Sequence, residues 1–227
     1  MSRGMGRPLR LQAPRLHYYV VSECNSPEFR FETEEDFKVY LDLLARIRSR
    51  HGLQVFHYVL LPNAAHLFLK PGPRAPIART MQWLNWQYAL DHNRRRDKRG
   101  RFWLRRYRSA AVEPGRPALE LMAEMDRAPL REGLVDCPSV WKWGAHSKLA
   151  LGAENSLIDH HPAYIDLAPA PEERQQCYRD LVKSYEVLSG PESRPDPYRR
   201  FIGSAAFGRK ISNRQKKMTV AAVTDKA

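Results

Sequence analysis

Two apolar runs joined by a two-residue turn constrain this chain more than any other feature. Val55–Leu61 (VFHYVLL) and residues 65–70 (AHLFLK) are rich in aromatic and branched apolar side chains, and Pro62-Asn63 separates them. Such a pair reads as a buried hairpin. Upstream, Leu16–Ser22 (LHYYVVS) is another aromatic and β-branched strand. Between these strands Thr33 opens a helical pattern. Thr33 and Asp36 have the spacing of a capping box, Phe37, Leu41, Leu44 and Ile47 recur at helical intervals, and Gly52 stops the run. After the hairpin, Ala75 to about Asn93 is helical, with Ile77, Met81, Leu84 and Tyr88 on one stripe. Phe102–Ala111 is expected as a fourth strand. Pro117 suits the first turn of a third helix that carries Leu121, Met122 and Met125.

The order β-α-β-β-α-β followed by a helix predicts an α+β fold. It is the ferredoxin-like split βαβ arrangement, an antiparallel sheet with helices on one face. Beyond about residue 136 the chain turns irregular and Pro-rich, regaining helix at Pro171–Ser189 and near Arg199–Lys217. The expected organisation is a basic arm over 1–15, a ferredoxin-fold domain over 16–136, and a mostly helical or irregular C-terminal extension over 137–227. The fold itself hosts many functions and selects none.

Charge narrows the partners. Lys and Arg number 38 against 25 Asp and Glu, a formal net charge of +13. A polyanion is therefore the first partner to consider. The three cysteines, Cys24, Cys137 and Cys177, are odd in number and widely spaced, which fits neither a disulfide framework nor a zinc pattern. No apolar run approaches the roughly 18 residues of a membrane span. The basic N-terminus has no apolar segment of a secretory signal behind it. The expectation is a cytoplasmic protein with no membrane partner.

The basic excess is concentrated. Residues 94–108 (RRRDKRGRFWLRRYR) hold nine Lys and Arg, interleaved with Phe102, Trp103 and Tyr107. Arginine forks bind phosphates and aromatic faces stack on unpaired bases, so the segment suits single-stranded or hairpin nucleic acid. Arg94, Arg95, Arg96, Lys98, Arg99, Arg101 and Arg106 are the candidate phosphate contacts, and Trp103 is the candidate stacking residue. Arg7 and Arg10, with Arg3, can add contacts from the N-terminal arm. The competing reading is a solvated basic loop whose aromatics belong to the core. The tail from Arg194 to Lys217 carries eight more Lys and Arg, either as a phosphate-tracking surface or as a solubilising tail.

HYVLLPNAAHLFLKP at 57–71 resembles the segment around the metal motif of the REP-associated tyrosine transposases, which belong to the single-tyrosine HUH type. The similarity continues in order along the chain: RPLRLQAPRLHYYVVSECN at 7–25, LNWQYALDHNRRRDKRGRFWLRRYRS at 84–109, DRAPLREGLVDCPSVWKWGAHSKLAL at 126–151, and then HHPAYIDL and FIGSAAFGRKI. The resemblance implies a divalent metal held by two strand histidines, and a helix-borne tyrosine that attacks a phosphate in hairpin single-stranded DNA. An H-x-H pair on a strand works because positions i and i+2 share a face.

The chain departs from that pattern where the chemistry would occur. Ala64 stands at the first histidine of the pair, leaving His66 alone. Glu124 stands where the family carries its nucleophilic tyrosine, and no tyrosine lies between residues 108 and 163. Tyr19 replaces a strand histidine, Glu23 an arginine and Ala128 an asparagine. A methyl group cannot ligate a metal, and one imidazole holds Mg²⁺ or Mn²⁺ poorly. Three readings stay open. The first is a transposase-derived protein that binds hairpin single-stranded DNA, has lost nicking and strand transfer, and needs no cofactor. The second is an active nuclease or transposase using His66 and Glu124 with Mg²⁺ or Mn²⁺. The third is an RNA-binding ferredoxin-like module. A homodimer is compatible with each.

Overall fold

The computed structural model describes residues 15–25, 31–188 and 199–213. The N-terminal arm with Arg7 and Arg10, and the tail beyond residue 213, lie outside the described residues.

Five strands form one sheet: β1 (His17–Glu23), β2 (Gln54–Leu61), β3 (Ala64–Lys70), β4 (Arg108–Val112) and β5 (Phe201–Ile202). Their spatial order is β2-β3-β1-β4-β5. The first four pair antiparallel, and β5 joins β4 in parallel. The β2–β3 hairpin is the one expected, with Leu61 opposite Ala64 and His57 opposite Phe68. The sheet is thus the split βαβ core with a short fifth strand added by the C-terminal region, which no alternating pattern in the sequence announces.

Two helices cross over one face. In α1 (Glu34–His51), Thr33 is the N-cap, Asp36 reaches back to the Thr33 N–H, and Gly52 ends the helix in the left-handed region at φ 67°. α2 (Ile77–Arg95) buries Ile77, Met81, Leu84 and Tyr88. It is fixed to the sheet by Asn85, whose side chain donates to Ser22 Oγ at 2.9 Å. Ser22 points to the face opposite Tyr19 and Val21.

The other face is also covered. α3 (Arg116–Arg131) sends Asp126 to His57 of β2. His57 pairs across β3 with Phe68 and so shares the face of Tyr19 and Val21. α4 (His146–Leu151), α5 (Pro162–Ile165) and α6 (Pro171–Leu188) pack on this side, placing Leu149, Tyr164, Tyr178 and Val182 in the same buried cluster as the sheet. Helices expected on one face therefore lie on both, with α3 and the later helices forming the second layer.

The fourth strand is shorter than expected. Residues 102–107 form a loop joined to Cys24 by one bridge at Trp103, and regular pairing begins at Arg108. Burying Phe102, Trp103 and Tyr107 together takes precedence over strand alternation there.

Candidate nucleic-acid interface and the altered catalytic face

On the face shared by Tyr19, Val21 and His66, strand alternation aligns the residues that the H-x-H pattern would use. Ala64 is buried at its i−2 position and contributes only a methyl group. His66 is partly buried, and its Nδ1 lies 2.7 Å from the Tyr19 hydroxyl. Burial, and then the nearby Arg131 charge, pull the His66 pKa down to about 4, so the ring is neutral near neutral pH. Glu124 on α3 is not a free carboxylate: it is ion-paired with Arg131 seven residues on. The face therefore holds a neutral imidazole bonded to a tyrosine, beside a closed carboxylate–guanidinium pair.

These residues do not fit a divalent ion. Ala64, at the position two residues before the imidazole, supplies no second ligand, the His66 Nδ1 is engaged, and a guanidinium sits close enough to oppose positive charge. Among the described residues, no group of three or more His, Cys, Asp and Glu is arranged to hold a metal. Nor does Tyr88 or Tyr107 offer an exposed hydroxyl, since both rings are buried.

A different acid–histidine group lies deeper. Asp126 Oδ1 accepts from His57 Nε2 at 2.9 Å, while Oδ2 accepts from His146 Nδ1 and from the Tyr178 hydroxyl, each at 2.8 Å. Burial alone would raise the Asp126 pKa. The His57 charge and the bonds from both histidines reverse that and hold it well below the ordinary carboxylate range. All four residues are buried, and they join β2, α3, α4 and α6. Such enclosure suits a structural tie, not a reaction centre open to a polymer. Sequence reading passed over this group because its members lie far apart in the chain and follow no motif.

The basic segment separates into two kinds of arginine. Arg95 and Arg96 turn inward. Arg95 donates to Asp91 at 2.6 Å and to Asp36 at 3.1 Å, and Arg96 binds Asp36 at 2.6 Å and also Glu32. Asp36 has no exposed surface. Its burial opposes ionisation, yet the Thr33 and Glu32 amides and the two guanidiniums keep its pKa below the usual value. These two arginines complete the capping of α1, which corrects the expectation that they face a ligand.

Trp103 is corrected in the same way. It is 8% exposed, its indole N–H donates to the Asn85 carbonyl at 2.8 Å, and the ring belongs to the core. The competing reading of core aromatics in a solvated loop describes Phe102, Trp103 and Tyr107. Arg94, Lys98, Arg99, Arg101 and Arg106 do remain exposed around that loop. Among the described residues Arg94 is tied only to Asp91, at 3.3 Å, with 80% of its side chain exposed. Among the described residues, no helix is long and apolar enough to cross a membrane.

The sequence pattern described as "Transposase IS200 like" matches residues 12–120. A structure of a REP-associated tyrosine transposase bound to a REP hairpin superposes with a TM-score of 0.57 at 12% identity, covering 69% of this chain and 98% of that one. A candidate transposase from Deinococcus radiodurans aligns with a TM-score of 0.38 at 18% identity, over 59% of this chain and 95% of that one. No curated protein sequence matches significantly. The four antiparallel strands and the two helices between them thus lie within residues 12–120, the segment that is similar to the IS200-like transposases, and the fold is that of a REP-associated tyrosine transposase.

Proposed function

We propose that this protein binds single-stranded DNA folded into an imperfect hairpin and no longer nicks or joins it. The observation that carries the reading is the closed catalytic face: Ala64 at a ligand position, His66 engaged by Tyr19, and Glu124 neutralised by Arg131. A methyl group at position 64 cannot ligate a metal and α3 carries no tyrosine, which supports the loss of phosphodiester transfer. Two further observations support the DNA half of the reading. The exposed cations around residues 94–106 suit a phosphate backbone. The superposable transposase, similar in fold, is one bound to a REP hairpin.

The test is one set of gels. The full-length protein is incubated with end-labelled hairpin single-stranded DNA and Mn²⁺, with a matched RNA hairpin as competitor. The expected result is a retained complex in the native gel, stronger for DNA, with an intact strand after denaturation. A shortened strand or a covalent protein–DNA band, lost in His66→Ala, overturns the inactive reading in favour of a rearranged nuclease. Stronger retention of the RNA replaces the DNA partner with RNA.

A further inference from the structure

The basic loop is fed by a helix whose outer face is unusual. Gln82, Trp86, Leu90 and Arg94 recur every four residues along α2 and so line one ridge. Trp86 is 59% exposed and Leu90 53% exposed, and Trp86 is the most exposed large aromatic among the described residues. The opposite face of α2 already has its core contacts, through Met81, Leu84, Tyr88 and His92. Nothing in the packing of the described residues therefore calls for an indole and an isobutyl group in water on the outer side. Single exposed apolar residues are ordinary, but adjoining ones rimmed by charge mark an interaction surface.

The rim is cationic. Arg79 lies exposed near the start of the helix, Arg94 near its end, and Lys98, Arg99 and Arg101 continue outward from it. Gln82 to Arg94 spans about 18 Å at the helical rise of 1.5 Å per residue, the reach of a few nucleotides of extended single strand. A flat aromatic face between phosphate-binding groups is the arrangement that stacks unpaired bases without reading their sequence. Leu90 adds an apolar surface of the kind that meets a thymine methyl group.

We propose that the outer ridge of α2 is a binding site for unpaired DNA bases flanking a hairpin stem, with Trp86 as the stacking residue and Arg94 as its phosphate contact. The proposal rests on the hairpin-binding reading and deepens it. It assigns to Trp86 the role that sequence reading gave to the buried Trp103.

The experiment compares two probes on the full-length protein: a DNA hairpin with an oligothymidylate 3′ tail, and the same hairpin without the tail. Trp86→Ala is expected to weaken binding of the tailed hairpin by about tenfold, the lower part of the range for loss of one stacked base, and to leave the untailed hairpin unchanged. The slope of affinity against salt is expected to stay the same in Trp86→Ala, because no phosphate contact is removed. Trp86→Phe is expected to recover most of the loss. Because the indole is exposed, the thermal midpoint of Trp86→Ala should match that of the parent, which separates a binding defect from a folding one. Equal affinity of parent and Trp86→Ala for the tailed probe overturns the site while leaving hairpin binding intact. A parent that binds neither probe overturns the hairpin reading and the site with it. A change from dimer to monomer in sedimentation of Trp86→Ala assigns the ridge to a second copy of the chain and likewise overturns the proposal.

Discussion

Arg94 and Arg96 are two residues apart and have opposite roles. Arg96 sits against a carboxylate that has no exposed surface, and Arg94 projects into solvent. Removing Arg96 leaves the Asp36 charge short of a partner, so Arg96→Ala is expected to lower stability by about 2 kcal/mol, measured by urea unfolding. Arg94→Ala is expected to leave stability unchanged and to reduce the salt slope of hairpin binding by about one phosphate contact. An unchanged urea midpoint for Arg96→Ala would reverse this assignment. The sequence identifies the segment as basic, but it cannot say which guanidiniums are free. That depends on Asp36, some sixty residues away in the chain, being buried beside Arg95 and Arg96. Trp103 and Trp86 exchange roles for a related reason. Proximity to arginines marks a candidate, and only packing decides which ring keeps an open face.

At the scale of elements, α5 is fastened to the sheet by a histidine pair. The Ala163 N–H donates to His161 Nδ1, so His161 must donate from Nε2, and its acceptor is His17 Nδ1 at 2.9 Å. Both rings are neutral in this arrangement. Burial is the main cause, lowering His17 to about 4 and His161 to about 3; the charge of Lys70 adds to both, and the partner ring His17 adds to the shift of His161. In the unfolded chain both would titrate near 6.5. Between about 6.5 and 4 the unfolded state binds more protons than the folded one. Stability from this pair is therefore complete above pH 6.5 and falls as the solution is acidified through that window. The loss from pH 7.5 to 5 is expected to be about 2 kcal/mol, discounted for the partial exposure of His17, and smaller in His161→Asn. Urea unfolding at the two pH values measures it. The helices and the hairpin were legible because capping residues, apolar periodicity and Pro-Asn turns are local signals. The start of β4 and the existence of β5 were not. The first yields to the burial of three aromatic rings, and the second has two residues whose pairing is set by a distant partner.

Across the whole molecule, Asp126 does what no segment does alone. One carboxylate accepts from His57, His146 and Tyr178, so the sheet, α3 and the two later helices are fixed to a common point. Asp126→Asn keeps the shape but removes the charge and supplies a donor where three donors already converge. It is expected to cost about 3 kcal/mol or more, as when one partner of a buried ion pair is lost. Near-ultraviolet and far-ultraviolet signals should shift together under urea, as one cooperative transition. Separate transitions for the sheet and the C-terminal helices would show instead that residues 137–188 fold as an independent unit. Composition suggested an appendage because that region is rich in proline and loop. Its apolar contribution comes from scattered single residues such as Leu149, Tyr164 and Tyr178, which show no period until they are seen in place.

The same region also settles what the outer strands can do. On β2, the Val55 N–H and carbonyl are taken by Asp159, the Tyr58 carbonyl by the Ala145 amide, the Leu60 N–H by the Trp143 carbonyl, and the Leu60 carbonyl by the Trp141 indole. On β4, the Ala111 and Glu113 amides are taken by residues 200 and 202. A sheet margin such as that of β2, already bonded within its own chain, offers no template for a neighbour's backbone. At the β2 margin a second copy can meet this one through side chains and not by extending the sheet, and such contacts can be lost or gained one substitution at a time without disturbing the fold.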